Sequence, residues 1–583
     1  MRRLRGQAES ELGTAWPQPR ASQYTRFFRD GSRTAWEEQV FARQERLSRA
    51  VVLAAATGDD VWVDEAADGL VLLCEQTSWC WAAHEGSCSA GGNVLPDIDT
   101  PYLDLGAGDV AAQLAWADHT LGAGLNTRYP GLRERIRLEV SRRVIQPFLR
   151  RTDWHWLGLD GDVHNWCPWI CGNVLVAALR LAEDDDERVR AVAWAVQGLD
   201  RYLGALPADG SIDEGYEYWW NGACRALEAL DVLAHATGGV LDAADVPVVR
   251  QTVAFPHRMH IGGHWYVNVA DASAKPHADQ PWHVPYRWAR RVGDRSAAAH
   301  AVSYRDPGEP ASKSRELGRL LSALHDPDWV AAVPSPPPLI GSVWLSGTQL
   351  GLAREDAGSR RGLTLAVKGG HNAEHHNHND VGCVMIAVDG VPAVVDAGRP
   401  TYTAQTFSRD RYAIWTMQSS WHNVPEVLGM PQSPGAEFRA REVSVADEDA
   451  RFRVRLELSA AYAVPQLEHW WRNATLDREA QRVIIEDTWA YSGASVTGSS
   501  TMHYLLAGEI EVPAPGRVVV RPLDHARPLV LTWDPGRATG TTETRVLDDP
   551  MLVRVWGAHV TRLALHAPAG SHGVVTLTAE VHA

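Results

Sequence analysis

From Gly369 to Gly382 the chain reads GGHNAEHHNHNDVG, which places His371, His375, His376 and His378 within eight residues. Histidine at this density, among asparagines and acids, serves metal binding, proton transfer or both. On a strand, residues i and i+2 face the same way. That spacing predicts His376 and His378 on one site, with His375 and Asn377 facing the other side. The stretch that follows, CVMIAVDGVPAVVDAG, reads as an apolar strand, an Asp-Gly turn at 389–390 and a returning strand. Such a hairpin folds Asp396 back towards His378. His422, in SSWHNVPEV, is a third nitrogen candidate. Two histidines and one carboxylate make a zinc set; a hydrogen-bonded His/Asn network is the alternative. Asp380 is expected to orient one of the histidines.

The helical half offers further polar groups. DVHNWCPWICGN carries His164, Asn165 and Asn173 among tryptophans, and CEQTSWCWAAHEG carries Gln76, Trp79 and His84. LPADGSIDEGYEYWW has turns at Asp209-Gly210 and Glu214-Gly215, delivering Tyr216, Tyr218, Trp219 and Trp220 into the next helix. Each residue alone also fits a core role. The chain holds 25 tryptophans; most are expected to pack between helices, while the pairs beside His, Asn and Glu suit the apolar faces of sugars. Cys167 and Cys171 share a helix face and read as core.

Two kinds of element must position these groups. Before residue 330 the pattern is helical. GDVAAQLAWADHTLG is periodic, RERIRLEVSRRVIQPFLRR puts Ile136, Val140 and Val144 on one face, and NGACRALEALDVLAHATGG ends on glycines. The acidic run from Asp184 to Glu187 joins two helices. VPSPPPLIG, Val333 to Gly341, is a stiff extended connector. Beyond it the period becomes two: RFRVRLELS alternates apolar and charged residues as a half-solvated antiparallel strand, and QRVIIEDTWAY, GRVVVRPL and MLVRVWG are expected as further strands. The plan is an α+β multidomain chain: a helical domain over 1–333, a linker over 334–341 and an antiparallel domain over 342–583.

Composition narrows the function. At 583 residues, with 45% hydrophobic and 22% charged residues, the chain is globular and too long for one core. A net charge of −16 argues against a general nucleic-acid binder. No stretch suits a membrane span or a signal peptide. Seven cysteines, an odd number, fit reduced thiols. The expectation is a cytoplasmic protein without nucleic-acid or membrane partners; a homodimer is carried as an open expectation.

HHNHND resembles the His-x-His-x-Asp signature of metallo-β-lactamase-type hydrolases. Val381 stands where that signature continues to another histidine, and the tract lies behind 330 helical residues, so this resemblance ranks below a second one. KGGHNAEHHNHNDVGCVMIAVDGVPAVVDAGRPTY with SSWHNV resembles the C-terminal domain of the heparinase II/III family of polysaccharide lyases. CEQTSWCWAAH, NWCPWICGNVL and DGSIDEGYEYW resemble that family's helical part, so the likeness runs over roughly residues 35 to 580. It implies an incomplete (α/α) toroid followed by an antiparallel β-sandwich, with the site in a cleft between them. It further implies cleavage of a uronic-acid glycosidic bond by β-elimination. By motif, Asn165, helped by His164, neutralises the C6 carboxylate; Tyr218 is the acid, and Tyr218 or His376 is the base. His378, Asp396 and His422 would hold a structural zinc. Tyr402, Arg411, His84, Gln76, Trp79, Tyr216 and Trp219 are expected at the substrate, an anionic oligosaccharide such as an imported oligouronide. A metal-dependent hydrolase and a non-catalytic oligosaccharide-binding protein remain as alternatives.

Overall fold

The computed structural model describes residues 2–86, 92–277, 279–309, 311, 315–493 and 498–582; Cys88 lies outside them. Contacts divide the chain into two compact units that interleave in sequence. The first comprises Met1–Leu206, Trp220–Val253 and Asp279–Pro336, the second Pro207–Trp219, Ala254–Ala278 and Pro337–Ala583. The last crossing falls at Pro336-Pro337, within the proline-rich stretch.

The first unit is helical. Asp104 caps the helix Leu105–Arg128 by accepting from the Ala107 amide, and Asp184 caps Asp185–Ala205 through the Glu187 amide. The acidic run therefore starts the second of two helices, Trp166–Leu181 and Asp185–Ala205, as the sequence predicts. Ile136, Val140 and Val144 are fully buried in one apolar cluster with Leu70, Leu114, Val174 and Leu199. Cys167 and Cys171 are buried in the same cluster. All six cysteines among the described residues are buried.

Among the described residues the second unit holds two two-stranded sheets, His260–Gly262 with Trp265–Tyr266 and His371–Asn372 with Gly435–Arg439, and two large antiparallel sheets. One contains eight strands, in the order Arg441–Asp447, Arg451–Glu457, Leu467–Asp477, Arg482–Tyr491, His572–Val581, Leu529–Thr532, Arg517–Arg521 and Glu509–Ala514. The other runs from Thr539–Val546 through His559–His566, Thr501–Leu506, Val391–Val394, Val384–Val388, Leu363–Lys368 and Leu350–Arg354 to Ser342–Leu345. Pro425–Glu426 pairs beside Thr501–Leu506. Their inner faces share one core: Leu363, Leu365 and Val367 from one sheet, Phe452, Val454 and Leu456 from the other, all fully buried. Each contributes about 1.5–3 kcal/mol of apolar burial. The expected Asp389-Gly390 hairpin is present, with both turn residues at positive φ, 52° and 79°.

Two sequence expectations fail. MLVRVWG is not a strand: Pro550–Trp556 is a helix, with Pro550 in the first turn and the Asp549 carboxylate accepting from the Met551 and Leu552 amides. The histidine tract is also not a strand between His375 and His378. It turns, with His376 at φ 55°, so period-two alternation does not place its side chains.

Candidate active site

In the second unit the chemistry converges on Asp271, a fully buried carboxylate. Four donors satisfy it. Oδ1 lies 3.0 Å from His378 Nε2 and 2.9 Å from the Arg411 guanidinium. Oδ2 lies 2.7 Å from His376 Nδ1 and 2.9 Å from the Tyr402 hydroxyl. Burial opposes its charge, but the hydrogen bonds from His376 and His378 and the nearby Arg411 outweigh burial and hold it well below the usual carboxylate range. An ionised carboxylate only accepts, so His376 carries its proton on Nδ1 and presents Nε2 as the basic nitrogen. Glu214 Oε1 lies 3.5 Å from that Nε2.

Tyr218 stands against this group. Its ring centroid is 4.2 Å from that of His376, and its hydroxyl is 2.5 Å from the Tyr402 hydroxyl. Because Tyr402 donates to Asp271, Tyr218 donates to Tyr402. Burial pushes the Tyr218 phenol above its ordinary value, and burial and Asp271 do the same to Tyr402. Both are protonated at neutral pH. Tyr216, two residues away, is stacked 3.9 Å from Tyr266 and fully buried. The structure thus separates the two phenols that the sequence leaves equivalent. Trp219 is likewise fully buried.

Close backbone approaches bring these segments together. Gly215, at φ 88°, lies where a Cβ would be 2.4 Å from the Val269 carbonyl oxygen, and a Cβ on Gly398, at φ 71°, would be 2.7 Å from that of Ala272. The first sets Tyr218, and the second sets the 396–402 segment, against the loop that carries Asp271.

Below lies a second buried group. One ligand atom each from His378, Asp396 and His422 lie within 4.8 Å of one another. His422 Nδ1 is 2.7 Å from Asp396 Oδ2, while His422 Nε2 and His378 Nδ1 have no hydrogen-bond partner. With Nε2 of His378 committed to Asp271, two orphaned imidazole nitrogens beside a carboxylate suit a divalent metal, and Asp271 supplies the carboxylate behind a histidine ligand. Asp380 does not take that orienting part. Its Oδ1 accepts from the buried Lys368, which also pairs with Glu374 at 3.1 Å.

Asn423 and Arg472 hold the ligand segments in place. The Asn423 amide donates to the Val384 and Val395 carbonyls at 2.7 and 2.9 Å, and its oxygen accepts from the Leu505 amide. Arg472, fully buried and bidentate on Asp487, donates to the carbonyls of Gly382 and Asn423. Asp271, Asn423 and Arg472 were not found by sequence reasoning. Each stands alone in its segment, and only Asn423, beside His422, had a positional hint. Phe407 was also missed; it is 57% exposed, and its ring lies 5.9 Å from His376 and 5.0 Å from Tyr402.

The remaining candidates lie in the first unit. His84 Nδ1 is 2.7 Å from Asp104 Oδ2, and its ring is 4.3 Å from that of Trp166. Neighbouring Asn165 precedes the helix Trp166–Leu181 without using its side chain as a cap. His164 Nδ1 is 3.5 Å from Asn165 Oδ1. Gln76 and Trp79 are buried and turned inwards: the Gln76 oxygen accepts from Arg43, its amide donates to the Ser78 carbonyl, and the Trp79 indole donates to the Leu73 carbonyl.

No family model and no curated protein matches this sequence. Solved structures do. Heparinase III superposes with a TM-score of 0.67 at 11% identity, over 94% of this chain and 78% of that one. The fold is that of the heparinase-like polysaccharide lyases. Heparan sulfate lyase HepC from Pedobacter heparinus gives a TM-score of 0.64 at 13% identity, over 100% and 83% of the two chains. A heparinase III described as the BT4657 gene product gives 0.62 at 12% identity, over 99% and 88%. Among the described residues, no helix is long and apolar enough to cross a membrane.

Proposed function

We propose that this protein is a carbon–oxygen lyase that cleaves a uronic-acid oligosaccharide by β-elimination. The observation that supports this reading is the Asp271 cluster, in which His376 donates its Nδ1 proton to Asp271 and lies 4.2 Å from the Tyr218 ring, as a base and an acid acting on one sugar would need. In such a reaction the C5–H bond breaks as C4=C5 forms, the C4–O4 bond breaks, and O4 leaves with a proton. His376 Nε2 takes the C5 proton. Tyr218 holds its own proton against loss to solvent and delivers it to O4. Asn165, with His164, neutralises the C6 carboxylate so that the enolate charge can develop. In this reading the helical unit is an incomplete (α/α) toroid, Phe407 stacks on the sugar, and Arg411 acts through Asp271. The substrate is an imported oligouronide of glycosaminoglycan or alginate type.

A zinc ion would be held by His378, Asp396 and His422. In this reading its part would be structural: bound by these three buried residues, it would fix the turn that presents His376. The test is ultraviolet absorbance of a 4,5-unsaturated product over heparan-type, hyaluronan, chondroitin, alginate and glucuronan oligosaccharides. Absorbance that appears with one class and is lost in Tyr218→Phe supports the lyase. Sugar release without that chromophore sinks it.

A further inference from the structure

The helical unit contains a cavity of about 610 Å³ that none of His84, His164 and Asn165 lines. That volume is within the range of small-molecule sites, about 300–1,000 Å³. Its wall on the helix Leu105–Arg128 is the stripe Asp109, Gln113 and Trp116, spaced i, i+4, i+7 and so on one face. Trp169 and Asn173 line it from the helix Trp166–Leu181.

Several buried polar atoms on this wall have no hydrogen-bond partner. The Trp169 indole and the Asn173 amide both donate to Asp109 Oδ1, at 2.7 and 3.0 Å, which leaves Oδ2 without a hydrogen bond and with the Arg315 guanidinium opposite it at 3.9 Å. The Gln113 amide nitrogen is taken by the Gln44 carbonyl and the Ser48 hydroxyl, which leaves its oxygen. Arg225 lies over the Trp169 ring at 4.2 Å with Nε unbonded, and His283, 2% exposed, leaves Nε2. Acceptors and donors are mixed, which costs free energy against an apolar guest. Four carboxylates and four guanidiniums line the cavity, so a charged guest would add an uncompensated buried charge. Hydroxyl groups donate and accept alike, and indole faces take the apolar side of a sugar ring.

We propose that this cavity is a second, non-catalytic site that binds an uncharged, polyhydroxylated carbohydrate of about disaccharide size. The test uses saturation-transfer NMR and calorimetry on the full chain with cellobiose and trehalose as probes. Glucuronate, spermidine and the apolar dye anilinonaphthalene sulfonate serve as controls. Val176→Phe fills the cavity, Trp116→Leu removes an aromatic wall, and circular dichroism checks that each is folded. The expected result is binding of a neutral disaccharide that weakens about tenfold or more in both variants and is unchanged in Tyr218→Phe. If Val176→Phe fails to fold, Trp116→Leu decides. Absence of neutral-sugar binding, binding that survives in the folded variants, or preference for a charged or apolar control would overturn the proposal.

Discussion

The Tyr218 hydroxyl donates to the Tyr402 hydroxyl at 2.5 Å, and Tyr402 donates in turn to Asp271. The chain of donation runs one way because Asp271 is ionised and already accepts from His376, His378 and Arg411. Tyr218 is therefore held as a proton donor, and the protonated form persists above the ordinary phenol range because its folded-state value is raised. In the proposed elimination, replacing Tyr218 by Phe would remove the proton for O4 while keeping the ring against His376. The expected loss is about 10²–10⁴ in kcat, measured by product absorbance, with an unchanged melting temperature. A variant with parental kcat would remove Tyr218 from the reaction.

Metal content is a separate matter. A bound zinc at His378, Asp396 and His422 predicts one ion per chain by elemental analysis, absent in His422→Ala. Chelation should lower the melting temperature, with activity declining only as the protein unfolds. Immediate, fully reversible loss of activity at an unchanged melting temperature would instead put the ion in the chemistry and favour a metal-dependent hydrolase.

Much of this fold was legible because period and turn chemistry agree. The alternating burial of Arg451–Glu457 and the Asp389-Gly390 turn follow from local pattern, and the hairpin then delivers Asp396 to the histidines. MLVRVWG misled because Leu552, Val553 and Val555 suit a strand, while the start signal Asp549-Pro550 lies just outside the stretch. The histidine tract misled differently. His376 and His378 do meet the same carboxylate, yet through a left-handed turn at His376 rather than strand alternation. Asp271 was invisible because nothing in VNVADASA distinguishes it from a loop acid. Its importance is entirely non-local, set by four donors more than 100 residues away.

Lys368, Glu374 and Asp380 form a buried group with one positive charge against two acids. Burial pushes Glu374 up to about 7, while Lys368 pulls it down. A carboxyl whose folded value is raised contributes stability below its unfolded value, near 4.3, and that stability is lost as pH rises through the folded value. Urea unfolding should show stability falling between about pH 4.5 and 7, by an amount on the order of 3 kcal/mol. Glu374→Gln, which cannot ionise, should flatten that slope. An equal slope in the variant would assign the pH dependence to other groups.

Arg472 gives the sharpest stability test, because its guanidinium pairs with Asp487 inside the core and also reaches the carbonyls of Gly382 and Asn423. Gly382 ends the histidine tract and Asn423 follows His422, so one side chain spans the two segments that carry metal-ligand candidates. Arg472→Met strands the buried Asp487 carboxylate and should cost about 3–5 kcal/mol in urea unfolding. Arg472→Met with Asp487→Leu removes the stranded charge and should recover most of that stability. It cannot restore the two carbonyl contacts. The double variant should therefore regain its melting temperature yet bind metal more weakly than the parent, as read by zinc titration. Full recovery of both would show that the ion pair serves stability alone, and that the strands by themselves hold His378 and His422 in register.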